Sequence, residues 1–196
     1  MGRKTMIHEL KNYYVCEPFP QHKLYKSRLL DYFDKAPAKG LIKNNLQYEN
    51  SIYKLDYADG MDLSREWVQM ILHDFLTHIG NMAATFGFES NLLHAIWFQQ
   101  YLQGNQHDWH THGENYSGVY YVELPDDCLG TEIWNGEDTF IPKVREGDIC
   151  IFPAFQPHKS PKIKTEDTRK TIVSFNFELK EFKDDFLQGM NSNAIV

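Results

Sequence analysis

Cysteine is scarce in this chain of 196 residues: Cys16, Cys128 and Cys150 are odd in number, far apart, and form no C-x-x-C pair. That pattern argues against a disulfide framework and against a thiolate zinc site, and it fits a reducing, cytoplasmic setting. No apolar run is long enough to cross a bilayer, so no membrane partner is expected. The stretch Met1-Gly2-Arg3-Lys4-Thr5-Met6 lacks the apolar segment of a signal peptide and the hydroxyl residue of a myristoylation site. Basic charge is also short: 20 Lys and Arg stand against 27 Asp and Glu, for a net charge of −7. Non-specific nucleic-acid binding needs a basic footprint, so this balance argues against it. There is no fixed-period repeat, no low-complexity tract and no heptad pattern, and nothing in the sequence selects an oligomeric state.

Aromatic residues are plentiful, with eleven Tyr and thirteen Phe, as suits a β-rich chain. The length suits one domain with a single sizeable core. Residues 21–36 read as a helix with Leu24, Leu29, Leu30 and Phe33 near one face, ended by Pro37 and Gly40. Residues 62–86 carry the strongest helical pattern, with Trp67, Ile71, Phe75 and Ile79 four apart, Asp62 or Ser64 as the cap, and Gly87 beyond the end. Strand-like pieces lie within 41–57. Clearer strands follow at 92–102, 117–124, 140–144, 148–152 and 170–179, separated by Gly, Pro, Asp and Asn. The expected plan is mainly β (α+β): a helical and mixed support region over 1–90, a barrel or sandwich over 91–180, and a tail over 181–196, all in one domain.

The histidines carry the chemistry. His8, His22, His73, His78 and His94 stand singly, whereas His107, His110 and His112 crowd into six residues. On an extended strand, residues two apart share a face, so His110 and His112 can grip one ion. A third ligand must come from a distant strand. His158 fits, because it follows a buried strand and a Pro-bracketed turn, Gly147-Asp-Ile-Cys-Ile-Phe-Pro153-Ala-Phe-Gln-Pro157-His158. Such a set leaves open positions on an octahedral iron(II), as dioxygen and a chelating cosubstrate require. The frame His112-Gly113-Glu114 offers a carboxylate instead, with Glu114 as the alternative ligand.

Three blocks now carry a resemblance: Trp109-His110-Thr-His112 with Ser117-Gly118-Val119-Tyr120-Tyr121-Val122, Gly147 through Phe152-Pro153 to His158, and Arg169-Lys-Thr-Ile-Val-Ser174-Phe175-Asn176. Residues 95–180 resemble the 2-oxoglutarate and iron(II)-dependent oxygenases. More narrowly, they resemble a family of these with H-x-H, S-G-V-Y-Y and F-P…H blocks, many of whose members have no assigned substrate. The resemblance implies a double-stranded β-helix, with Fe(II) held by His110, His112 and His158. It also implies use of 2-oxoglutarate and O2, and hydroxylation of a substrate coupled to decarboxylation of 2-oxoglutarate to succinate. In that frame Arg169 would pair with the far carboxylate of the cosubstrate, helped by Tyr101 and Tyr121. Ser174 and Asn176 would face away from Arg169, and Trp134 and Phe155 would line the mouth. Two other classes remain. The spacing from Gly147 to His158 also resembles cupins, which implies a three-His metalloenzyme that does not use 2-oxoglutarate. The third class is a non-catalytic binding module on the same scaffold.

Overall fold

The computed structural model describes residues 14–45 and 47–184. The elements run β1 (Val15–Pro18), α1 (His22–Lys35), β2 (Lys39–Asn44), β3 (Glu49–Leu55), a 3-10 turn (Tyr57–Asp59), α2 (Glu66–Ala84), β4 (Phe88–Tyr101), β5 (His107–His110), β6 (Tyr116–Glu123), β7 (Glu132–Trp134), β8 (Thr139–Phe140), β9 (Asp148–Pro153), β10 (His158–Ser160) and β11 (Lys170–Phe182). They build two antiparallel sheets, ordered β1-β9-β6-β11-β4-β3-β2 and β5-β10-β7-β8. This is the mainly β, double-stranded β-helix class expected, although the two sheets do not close into one barrel.

Period-two alternation sorts the long strands between two environments. On β11, Val173, Phe175 and Phe177 join Ile96 and Phe98 of β4 and Tyr120 and Val122 of β6. This face packs under α1 and α2, against Leu29, Phe33, Trp67, Ile71, Phe75 and Ile79. The other face looks into the space between the sheets. There Ile172 meets Tyr101, Val119, Tyr121, Ile133, Cys150 and Phe152. Gly118 is needed on the helix-facing side, because it pairs directly with Phe175 and a Cβ there would lie 2.1 Å from the ring's Cζ.

Helix α2 starts at Glu66, four residues later than its pattern suggested. Asp62 spends its carboxylate on the N–H and hydroxyl of Ser64, forming a turn ahead of the helix, so neither residue caps it. Arg65 occupies the cap position, and its guanidinium pairs with Asp56 and donates to the Ile96 carbonyl. Asp56 also accepts from the Phe98 N–H (2.7 Å) and Trp67 Nε1 (3.1 Å), which ties α2 to β4. The strand expected over 140–144 stops at Phe140, where Pro142 cannot continue a ladder. The short strands β1, β5, β7 and β10 had no pattern long enough to read.

One expectation is overturned. Cys16 and Cys150 are direct cross-strand partners on β1 and β9, with Cα atoms 4.1 Å apart, and are joined by a disulfide; Cys128 is free. A separation of 134 residues hid this pairing. No helix among the described residues is long and apolar enough to cross a membrane. The expected tail lies largely outside the described residues, and so does His8.

Candidate metal centre and cavity

The three predicted histidines meet. His110 and His158 are direct cross-strand partners on β5 and β10, with ring centroids 4.3 Å apart. His112 stands 5.1 Å from each. One nitrogen from each of the three rings lies within 4.8 Å of the others, in reach of a single ion, and among the described residues this is the group suited to hold one. Glu114 sits half-buried in the following loop and is not part of it.

The route to this convergence differs from a simple strand pair. Strand β5 ends at His110, so the pleat does not carry His112 to the same face. Instead the His112 N–H donates to the Ala154 carbonyl (3.0 Å), which docks the loop onto the end of β9. A register shift also occurs between His158 and Ser160, which pair with His110 and His107. The extra β5 residue is a bulge, and it turns His107 to the side of His110 despite their odd spacing. Their rings stack at 3.9 Å.

The donor chemistry fits a metal. His110 Nδ1–H donates to the Asp108 carbonyl (2.7 Å) and His158 Nδ1–H to the Gln156 carbonyl (2.9 Å). Each bond fixes the ring and leaves Nε2 as a lone pair, the orientation that ligating imidazoles adopt. Burial pushes all three pKa values down: His110 below its usual range, His112 to about 4 with help from His110, and His158 well below 6.5. Neutral imidazole is the form that binds a metal. His107 is pushed down to about 3 by burial and by His110 and His112.

The triad opens into a narrow cavity of about 30 Å³ between the sheets. Its walls include Trp97, Gln99, Tyr101, His107, Ser160 and Ser174. Behind Tyr101 and Ser160 lies Lys170, which is 1% exposed. Its ammonium donates to Ser160 Oγ (2.8 Å) and the Leu129 carbonyl (3.1 Å), and stands 5.3 Å from the centre of the Tyr101 ring. No carboxylate pairs with it among the described residues. Burial lowers its pKa to about 8. A buried cation without an anionic partner is costly, and an anion entering the cavity would relieve that cost.

Arg169 is a different matter, and its assignment is corrected. Its guanidinium grips Glu123 through Nε (2.8 Å) and Nη2 (3.0 Å), and Asp34 through Nη1 (2.8 Å). It therefore points to the helix side of the sheet, away from the histidines. The inward residues are Lys170, Ile172, Ser174 and Asn176, so Ser174 and Asn176 line the cavity. Tyr101 also lines it, with its hydroxyl donating to Gln99 Oε1 (2.8 Å). Tyr121 is fully buried and faces the same interior. Its hydroxyl is engaged with the Thr131 hydroxyl and N–H, both at 3.0 Å, and burial raises its pKa. Phe155 and Trp134 are exposed and lie outside the cavity wall. Sequence reasoning missed Lys170, His107, Trp97 and Gln99. The signal for Lys170 was its shared parity with Ser174 and Asn176.

Family models and curated proteins give no match to this sequence. Solved structures do. An oxidoreductase of the 2OG-Fe(II) oxygenase family from Burkholderia pseudomallei matches with a TM-score of 0.66 at 13% identity, covering 87% of each chain. A viral collagen prolyl hydroxylase from Paramecium Bursaria Chlorella virus-1, solved with 2OG, matches at 0.57 and 14% identity, covering 84% of this chain and 95% of its own. SnoN, a non-heme alpha-ketoglutarate-dependent epimerase from nogalamycin biosynthesis, matches at 0.58 and 11% identity, covering 85% of this chain and 77% of its own. The chain thus has the fold of the 2OG-Fe(II) oxygenases, and within that fold it carries a three-histidine group, half-buried at His110 and His112 and buried at His158.

Proposed function

We propose that this protein is a 2-oxoglutarate-dependent, iron(II)-dependent dioxygenase, with His110, His112 and His158 as ligands and Lys170 as the cosubstrate's anchor. The observation that carries the proposal is the buried ammonium of Lys170, without a carboxylate partner among the described residues, directly behind the Tyr101 and Ser160 wall of the cavity that the three histidines share. Iron(II) held there supplies a redox-active centre with positions open to a chelating cosubstrate and to dioxygen. The rest is done by the chain. Lys170 holds the far carboxylate of 2-oxoglutarate, and Ser160 and Leu129 keep its ammonium in place. Tyr101 and Gln99 fix the adjacent wall through their mutual hydrogen bond. The carbonyls of Asp108 and Gln156 hold His110 and His158 with Nε2 free. Phe152, whose ring is 4.8 Å from His158, keeps that side of the centre apolar. Hydroxylation of a substrate is the reaction we assign, with 2-oxoglutarate going to succinate. The three-His set alone fits a cupin-like enzyme equally well, and Lys170 separates the two readings.

A thermal shift tests this. Manganese(II) and 2-oxoglutarate together should raise the melting temperature, because a ligand at 100 times its Kd adds about 2.7 kcal/mol. The rise should vanish in His158→Ala. Stabilisation by the metal alone, with no added effect of 2-oxoglutarate, would reject the cosubstrate and leave the cupin-like alternative.

A further inference from the structure

An unpaired buried donor, Trp97 Nε1, stands at the opposite end of the cavity, and the inference drawn from it rests on the function proposed above. Trp97 is 3% exposed, and its Nε1–H has no partner among the described residues. Buried polar groups in folded proteins are nearly always satisfied, so this one marks a place for a ligand. Its orientation follows from its packing. The Cε3 edge of the indole lies toward Gly60, and Tyr57 packs edge-on against the ring at 5.0 Å. The opposite edge, which bears Nε1, is left toward the cavity, where the His112 ring lies 6.0 Å away. Asn176 lines the same end. Its Oδ1 accepts from Ser117 Oγ (2.8 Å), which turns its two Nδ2 hydrogens away from Ser117.

This end is distinct from the cosubstrate's. Lys170 is the cross-strand partner of Tyr101, while Trp97 is the partner of Ser174. Four residues of β4 separate Tyr101 from Trp97, about 13 Å along a strand. Ser160 and His107 lie on the Lys170 side. Trp97 and Ser117 lie on the side of His112 and of Phe152, which pairs with Ser117. The metal ligands therefore stand between the two sets of donors.

We propose that Trp97 Nε1 and Asn176 Nδ2 receive a neutral carbonyl oxygen of the substrate, of the amide class, with the carbon to be oxidised a few bonds away. Neutral N–H donors select an oxygen acceptor rather than an ammonium group. Among the described residues no unpaired Lys or Arg lines the cavity, which selects a carbonyl over a carboxylate: Lys159, the Lys in the wall, is paired with Glu132 at 3.1 Å.

The test uses the whole chain, loaded with zinc(II) as a diamagnetic stand-in, saturated with 2-oxoglutarate and carrying 15N-labelled tryptophan. Trp97→Phe assigns the Trp97 indole resonance, and the probe is N-methylacetamide, with acetate for comparison. Saturable movement of that resonance with N-methylacetamide and not with acetate is expected. Asn176→Ala should then weaken the apparent Kd about tenfold, as loss of one hydrogen bond does. Movement with acetate alone would overturn the neutral-carbonyl assignment. Movement with 2-oxoglutarate, and no further change with the amide, would give Trp97 to the cosubstrate and overturn the proposal. No movement with either probe would overturn it as well. The melting-temperature rise with 2-oxoglutarate, read on the same samples, reports separately whether the cosubstrate binds at all.

Discussion

Replacing Lys170 by Met should separate stability from binding. The ammonium is buried, and its pKa falls from the ordinary 10.5 to about 8. At 1.36 kcal/mol per pH unit, holding it charged costs the ligand-free protein about 3 kcal/mol. Methionine has a similar length and no charge, so the variant should be as stable as the parent or more so by chemical denaturation at pH 7. The same change removes the partner of the cosubstrate's carboxylate. Breaking a buried pair costs about 3–5 kcal/mol. At 1.4 kcal/mol per tenfold, the Kd for 2-oxoglutarate should weaken by at least about 100-fold. Titration calorimetry on the manganese(II)-loaded protein measures this. Arg169→Gln is the matched control: it breaks a partly exposed pair with Glu123 and Asp34, worth about 0–1 kcal/mol, and should leave the Kd within about twofold. A Kd unchanged in Lys170→Met but lost in Arg169→Gln would refute the reasoning.

Other outcomes follow from the same geometry. The affinity for 2-oxoglutarate should depend on pH. The free protein's Lys170 loses its proton as pH rises through about 8, so binding must take up a proton above that value. Affinity should be flat from this source below pH 8 and fall by up to about tenfold per unit above it, measured by the same calorimetry. His158→Ala should lose stoichiometric iron by metal analysis, whereas Glu114→Gln should keep it. Gly118→Ala should destabilise by about 1–3 kcal/mol in urea, because its methyl collides with the Phe175 ring. Arg65→Gln should cost about 3–5 kcal/mol, since it leaves Asp56 buried beside β4 without its cation.

The three-histidine group was legible in the sequence because its parts are local: an H-x-H, and a histidine behind a Pro-bracketed turn. The bulge in β5 and the docking of His112 on Ala154 were not, since both depend on strands that meet only in the fold. The proposed anchor, Lys170, lies one residue from Arg169, the residue expected from the sequence, for an instructive reason. On β11 Arg169 shares the parity of the apolar residues Val173 and Phe175, the face that a barrel without covering helices would turn inward. A sheet covered by helices has two buried faces, and here the apolar one is the helix side. The face between the sheets carries Lys170, Ser174 and Asn176, which is how a strand looks when it lines a polar cavity. Helix α1 was legible to within a residue or two from its period and its Pro-Gly stop. The Cys16–Cys150 pairing needed β1, whose four residues carry no periodic signal.

The most direct test of the central claim is an anaerobic titration of 2-oxoglutarate into the iron(II)-loaded protein, followed by visible absorbance. A saturable charge-transfer band, kept in Arg169→Gln and absent in Lys170→Met at the same concentrations, is the predicted result. Stoichiometric iron with no band at any 2-oxoglutarate concentration would contradict it.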